Sequence, residues 1–166
     1  MANTLIEYDA TTEELIAVRR DRRVAVTSSR AALNGYQKGH CFYCFAPITT
    51  DGGEQGADVD HVFPWSLRAL LTGNVNGVWN LVLACRDCNR GASGKHDRVP
   101  AVELVARLHR RNEFLITSHH PLRETLIAQT GGSEAGRAGF LQANYTTARI
   151  NRVAEWTATA RGAAAF

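Results

Sequence analysis

The feature that most constrains this chain is its cysteine spacing. Its four cysteines fall in two pairs, Cys41-Phe42-Tyr43-Cys44 and Cys85-Arg86-Asp87-Cys88. A Cys-x-x-Cys pair folds a tight knuckle that aims two thiolates at one point, and two knuckles supply the four ligands of a tetrahedral zinc ion. Every position would then be a protein ligand, so such a zinc is a structural clamp with no site left open for chemistry. The stretch between the knuckles is longer than in a compact zinc finger, and something substantial has to lie there. The competing readings are two disulfides or four unrelated buried thiols. Disulfides fit poorly, because Met1-Ala2-Asn3-Thr4 lacks the basic-then-apolar pattern of an export signal. The expected location is cytoplasmic.

The 166 residues make about one domain, on a prior of roughly 100–200 residues each. The expectation is one domain over 1–166, with a core at about 39–98 and helical flanks at 11–38 and 100–160. A composition of 45% hydrophobic and 21% charged residues excludes a disordered or collagen-like chain. The longest apolar run, Val78 to Cys85, is broken by Asn80 and falls far short of the ~20 residues a membrane span needs. No membrane partner is expected. The net charge of +3 is weak evidence for nucleic acid, but its distribution says more. Cys41 to Ala84 carries one base, Arg68, and four acids, whereas Cys85 to Thr130 carries eight bases and five acids. Only Lys38 and Lys95 are lysines; arginine suits planar, bidentate contact with phosphate.

Capping and charge signals predict a helix over Thr12–Arg23, with Thr11 or Thr12 as cap, Glu13 and Glu14 in its first turn and arginines in its last. A second helix is expected over Ser28–Lys38, closed by Gly39. Strands are expected at Ala57–Val62 and Val78–Ala84, with a short helix at Trp65–Leu71 after Pro64 and a turn at Gly73–Gly77. A turn or short helix follows at Asn89–Ala92. Helices then run from Pro100 to about Ser118, Pro121 to Thr130 and Ser133 to about Thr159. The tail from Ala160 to Phe166 is expected to fray.

Between the knuckles lies Asp58-Val59-Asp60-His61-Val62-Phe63-Pro64, then Asn80-Leu81 ahead of the second pair, and Asn89 directly after Cys88. This order resembles the HNH endonuclease family, in its four-cysteine, zinc-bearing branch, over roughly Gly39 to Lys95. The resemblance implies an α+β fold with a ββα-metal core, treble-clef-like, bearing zinc knuckles and flanked by N- and C-terminal helices. It implies His61 as general base, a role suited to an imidazole that titrates near neutral pH. Asp60 becomes a ligand of a catalytic Mg2+ or Mn2+, through a hard carboxylate oxygen. Successive strand side chains face opposite ways, so Asp60 and His61 can act together only if the strand ends or bends near them. Asn89 stands where many members have a last histidine, an H-N-N variant, and offers the ion an oxygen. Asn80 is implied to be structural, holding the loop that carries His61. The zinc at Cys41, Cys44, Cys85 and Cys88 is implied to hold Asn89 in register.

Arg86, Arg90, Lys95 and Arg98 are candidate phosphate contacts beside the second knuckle. Arg107, His109, Arg110 and Arg111 form a second basic cluster, read as an exposed helix face. Gly91-Ala92-Ser93-Gly94-Lys95 lacks the glycine spacing of a phosphate loop. The function implied is a metal-dependent endonuclease that hydrolyses DNA, leaving 5′-phosphate and 3′-hydroxyl ends. It would be the nuclease module of a restriction, phage-defence or CRISPR-type system, with a larger defence or helicase-type protein or a fused domain as a further partner. The alternatives are a zinc-stabilised nucleic-acid-binding module without catalysis, and an RNA-cutting nuclease on the same residues.

Overall fold

Two short strands that need each other set the centre of the molecule. The structure, a computed structural model, describes residues 5–11, 14–19 and 22–166. It is an α+β arrangement of five helices and three small sheets among the described residues. The chain enters as β1 (Leu5–Asp9), β2 (Glu14–Arg19) and β3 (Arg22–Ser28), an antiparallel sheet in that order. Leu5 pairs with Val18 and Glu14 with Ser28, with an irregularity between Leu15 and Ile16.

This sheet corrects the expected N-terminal helical flank. Glu14–Arg19 and Arg22–Ser28 are strands; Thr12, Glu13, Arg20 and Asp21 lie outside the described residues. Cap and charge signals are local. Leu-Ile-Ala-Val and Val-Ala-Val-Thr are equally good strand formers once β1 supplies an edge to pair with. Tyr8 and Leu15 anchor the sheet by burial, and the Tyr8 amide donates to the Asn76 carbonyl at 3.1 Å.

Helix α1 (Ser29–Gln37) follows, as expected. It stops where Lys38 and Gly39 take positive φ, 52° and 75°, a conformation glycine adopts cheaply. Its last side chain, the buried Gln37, donates to the Leu83 carbonyl and accepts from the Leu83 amide, both at 2.8 Å. That pairing occupies the free edge of β5 as a neighbouring strand would.

β4 (Asp58–His61) and β5 (Leu81–Ala84) form the central antiparallel hairpin, with Asp58 opposite Ala84 and His61 opposite Leu81. β5 starts later than its apolar run, because Val78–Asn80 is a buried 3₁₀ turn. α2 (Arg86–Arg90) starts directly after Cys85, earlier than the expected Asn89. β6 (Val99–Pro100) leads into α3 (Val102–Thr117), α4 (Arg123–Thr130) and α5 (Glu134–Asn151). Arg111 on α3 is wholly buried, and its guanidinium donates to the carbonyls of Leu81, Val78 and Trp79 at 2.9, 3.0 and 3.2 Å. Asn112 adds a bond to the Trp79 carbonyl at 3.1 Å. α3 thereby clamps the turn that carries Asn80.

α5 ends at Asn151, short of the expected Thr159, and the tail returns across the molecule. β7 (Glu155–Trp156) pairs in parallel with β6, and Trp156 is buried. The tail end does not fray away from the core. Phe166 lies 5.2 Å from the Tyr36 ring and 5.0 Å from the Phe45 ring, centroid to centroid. Burying Trp156 outweighs two more helical turns, since a large aromatic side chain removes far more apolar surface from water than those turns could. Among the described residues no helix is long and apolar enough to cross a membrane.

Candidate active site and metal centre

The two knuckles converge. The Sγ atoms of Cys41, Cys44, Cys85 and Cys88 all lie within 4.8 Å of one another, and all four cysteines are free. A tetrahedral site with Zn–S bonds of about 2.3 Å has sulfur–sulfur edges of about 3.8 Å; Cys44 Sγ and Cys85 Sγ are 3.8 Å apart. The donor set therefore fits zinc. Local geometry explains the convergence. The Cys41 amide donates to the Ala46 carbonyl at 2.8 Å, closing the first knuckle. Cys85 caps α2, its sulfur accepting from the Cys88 amide at 3.5 Å.

The hairpin and α2 carry the other candidates. Strand alternation puts Asp58 and Asp60 on one face of β4. Asp58 accepts from the Asn89 amide nitrogen at 2.9 Å and pairs with Arg90 at 3.0 Å. Asp60, buried, accepts from the Tyr43 hydroxyl at 2.5 Å and pairs with Lys95 at 3.3 Å. Lys95 has no exposed surface, and its ammonium also donates to the His61 carbonyl at 2.7 Å. Asn89 thus meets Asp58, whereas the resemblance had paired it with Asp60. Asp58 and Asp60 therefore face separate partners, Asn89 with Arg90 and Tyr43 with Lys95, and Asn89 turns its NH2 toward Asp58.

His61 ends β4, half-buried. Its Nε2 lies 2.8 Å from Asn76 Oδ1, and an amide oxygen only accepts, so Nε2 carries the proton and Nδ1 keeps a free lone pair. The Tyr8 ring lies edge-on to the imidazole at 6.2 Å. Burial pushes His61 below its ordinary titration range, against the opposing pull of the Asn76 hydrogen bond and the Asp60 charge. Burial thus favours the neutral imidazole.

Asn80 is fully buried. Its Oδ1 accepts from the Phe63 amide at 2.8 Å, and its Nδ2 donates to the carbonyls of Phe63 and Val75 at 3.1 and 3.0 Å. It ties the segment just after His61 to the segment that carries Asn76.

The basic candidates separate. Arg86 and Arg90 are exposed. Arg98 is half-buried and donates to the Gly94 carbonyl. Lys95 departs from its expected place at a phosphate, because its ammonium is spent inside on Asp60 and the His61 carbonyl. In the second cluster Arg111 is buried, and Arg107 donates to the Phe42 and Tyr43 carbonyls at 2.6 and 2.9 Å. That side of α3 therefore faces the knuckle and the core. Asp58, Asn76 and Tyr43 went unnoticed in the sequence. Asp58 could have been found, because it precedes Asp60 by two residues in a strand. Asn76 and Tyr43 carry no such signal.

No curated protein and no solved structure gives a significant match to the chain. A family model does match: residues 41–96 fit the family described as HNH endonuclease. The match begins at the first knuckle and ends just beyond Lys95, so it takes in both cysteine pairs, the central hairpin and α2. Over that third of its length the chain is similar to the HNH endonuclease family, and its four clustered cysteines form a possible zinc site.

Proposed function

We propose that the chain is a metal-dependent HNH endonuclease that hydrolyses phosphodiester bonds in DNA, with β4, β5 and α2 as a ββα-metal core. The observation that carries the reading is the state of His61 within the family-matched segment. Its Nε2 is tied to Asn76, burial favours the neutral ring, and Nδ1 is left to accept a proton. His61 Nδ1 takes the proton from a water as that water attacks phosphorus. Asn76 holds the ring and its tautomer. Asn80 touches no substrate; it fixes the loops on either side of the imidazole.

Asp60 and Asn89, with Asp58 beside them, would hold the Mg2+ or Mn2+. A divalent cation bound there would offset the negative charge that develops on the scissile phosphate. Arg90 and Lys95 balance these acids from within the chain. Cys41, Cys44, Cys85 and Cys88 hold a structural zinc, which locks α2 and therefore Asn89 against β4. Arg86 is left as a surface contact to phosphate, and Arg90 can add one only beyond its pairing with Asp58; such contacts read little sequence.

The test is conversion of supercoiled plasmid by the purified full chain with magnesium, with manganese, and with chelator. Nicked or linear product in either metal and none in chelator is the expected result. Binding to DNA without cleavage in any metal would overturn the catalytic reading and leave a zinc-stabilised binding module. Cleavage of RNA alone would overturn the choice of substrate.

A further inference from the structure

The zinc-site candidate is not made by the family-matched segment alone. After α5 the tail crosses back and lies on the knuckles, and it is anchored along its course. The Ala101 amide donates to the Trp156 carbonyl at 2.8 Å. The Trp156 indole donates to the Ser93 carbonyl at 2.8 Å. The Arg161 amide donates to the Cys44 carbonyl at 2.7 Å. A Cβ on Gly162 would come within 2.4 Å of the Phe45 carbonyl oxygen, so the backbone there lies flat against the first knuckle. Phe166 then sits among the rings of Tyr36, Phe42 and Phe45.

This course delivers one side chain to the sulfurs. Arg161 Nη2 donates to Cys85 Sγ at 2.8 Å and reaches Cys88 Sγ at 3.8 Å. Its Nη1 donates to Asp87 Oδ2 at 2.7 Å, which sets the plane of the fork. Zinc with four thiolates carries a net charge of two minus. A guanidinium in contact offsets part of that charge, and N–H···S bonds draw electron density from the sulfur. Both effects oppose uptake of a proton or another electrophile by the thiolate, the event that starts ligand loss.

We propose that Arg161 is an outer-sphere partner of the zinc centre, and that the tail from Arg152 to Phe166 is a strap that retains the metal. The proposal rests on reading the four cysteines as a zinc site. It assigns a metal-retaining role to a residue far outside the 41–96 match. Loss of an outer-sphere partner costs roughly 10–100-fold in metal affinity.

The experiment uses the zinc-loaded full chain, wild type, Arg161→Ala and Arg161→Lys, in competition with a chromophoric chelator. A parallel set is loaded with cobalt to read the sulfur-to-metal charge-transfer band. Arg161→Ala should hold zinc at least about tenfold more weakly, with Arg161→Lys between it and the wild type, and both should move the cobalt band to longer wavelength. Wild-type zinc affinity and an unmoved band in the variants would overturn the proposal while leaving the zinc reading intact. A wild-type chain that binds no zinc would overturn both. If the alanine variant does not fold, the lysine variant decides the matter, because it keeps the charge and loses the fork.

Discussion

The cysteine cluster and the acids Asp58 and Asp60 lie on one small hairpin-and-helix unit, with Asp58 opposite Ala84 and its partner Asn89 next to Cys88, yet they are stabilised in opposite ways. Each acid already has a cation: Arg90 on Asp58, Lys95 on Asp60. Buttresses from elsewhere fix the backbone around them, with Asn80 bridging two loops and Arg111 clamping the turn beneath. The cysteine cluster gathers four sulfurs within 4.8 Å and receives one guanidinium, from the tail. Four thiolates that close repel one another unless a metal joins them. The difference teaches that the acids are already balanced by cations of the chain itself, whereas the four sulfurs are not. Under the proposed function this is the expected contrast, because a site that exchanges a hydrated cation has to survive empty and a clamp does not.

The largest effect that would break the comparison lies at the knuckles. Cys88→Ser should remove zinc and cost several kcal/mol, on the order of the 3–5 kcal/mol seen when a buried charged partner is lost, or more. Thermal melting and zinc content check this together, and a variant that melts with the wild type would make the two clusters alike. Next, Arg111→Ala removes a buried donor from three carbonyls, of which Trp79 keeps Asn112 and Val78 keeps the Leu81 amide, and should cost about 3 kcal/mol in denaturant unfolding. Lys95→Met sharpens the contrast. It strands the buried Asp60 carboxylate, costs about 3 kcal/mol, and makes stability depend on added magnesium, which the wild type should not show. The smallest effect is at Glu113, which Arg137 grips at 2.6 and 2.7 Å between α3 and α5. Glu113→Gln should cost about 1 kcal/mol. The Arg137 hydrogen bond holds the Glu113 carboxyl below its ordinary range. This contribution is therefore complete above the unfolded value of about 4.3 and is lost as pH falls through the lower folded value. Melting temperature followed across that acid range checks the sign, and the Gln variant should show less of the fall.

How far the sequence foretold this arrangement depended on the range of the forces involved. The knuckles, α1, α3 and α4 follow from neighbours a few residues apart, and both spacing and period are visible in the chain. The N-terminal sheet does not, because Glu14–Arg19 is a strand only by virtue of Leu5–Asp9 on one side and Arg22–Ser28 on the other. Its acidic start and basic end imitate a capped helix. α5 stops early for a similar reason: Trp156 has a partner strand at Val99–Pro100, far back in the sequence. At the candidate site, His61, Asp60, Asn80 and Asn89 were singled out by their order around the cysteines, and the roles given to them stay part of the proposal. Lys95 and Arg111 were not, because a cation read along the chain looks solvated until the carbonyls that receive it are known. Arg161 was hidden in a tail expected to fray.

The most direct measurement is the cleavage rate of His61→Ala under saturating magnesium, on protein shown to hold zinc and to melt as the wild type does. The account predicts a fall of about 10²–10⁴-fold, the range typical of a general base. A rate indistinguishable from the wild type would contradict it.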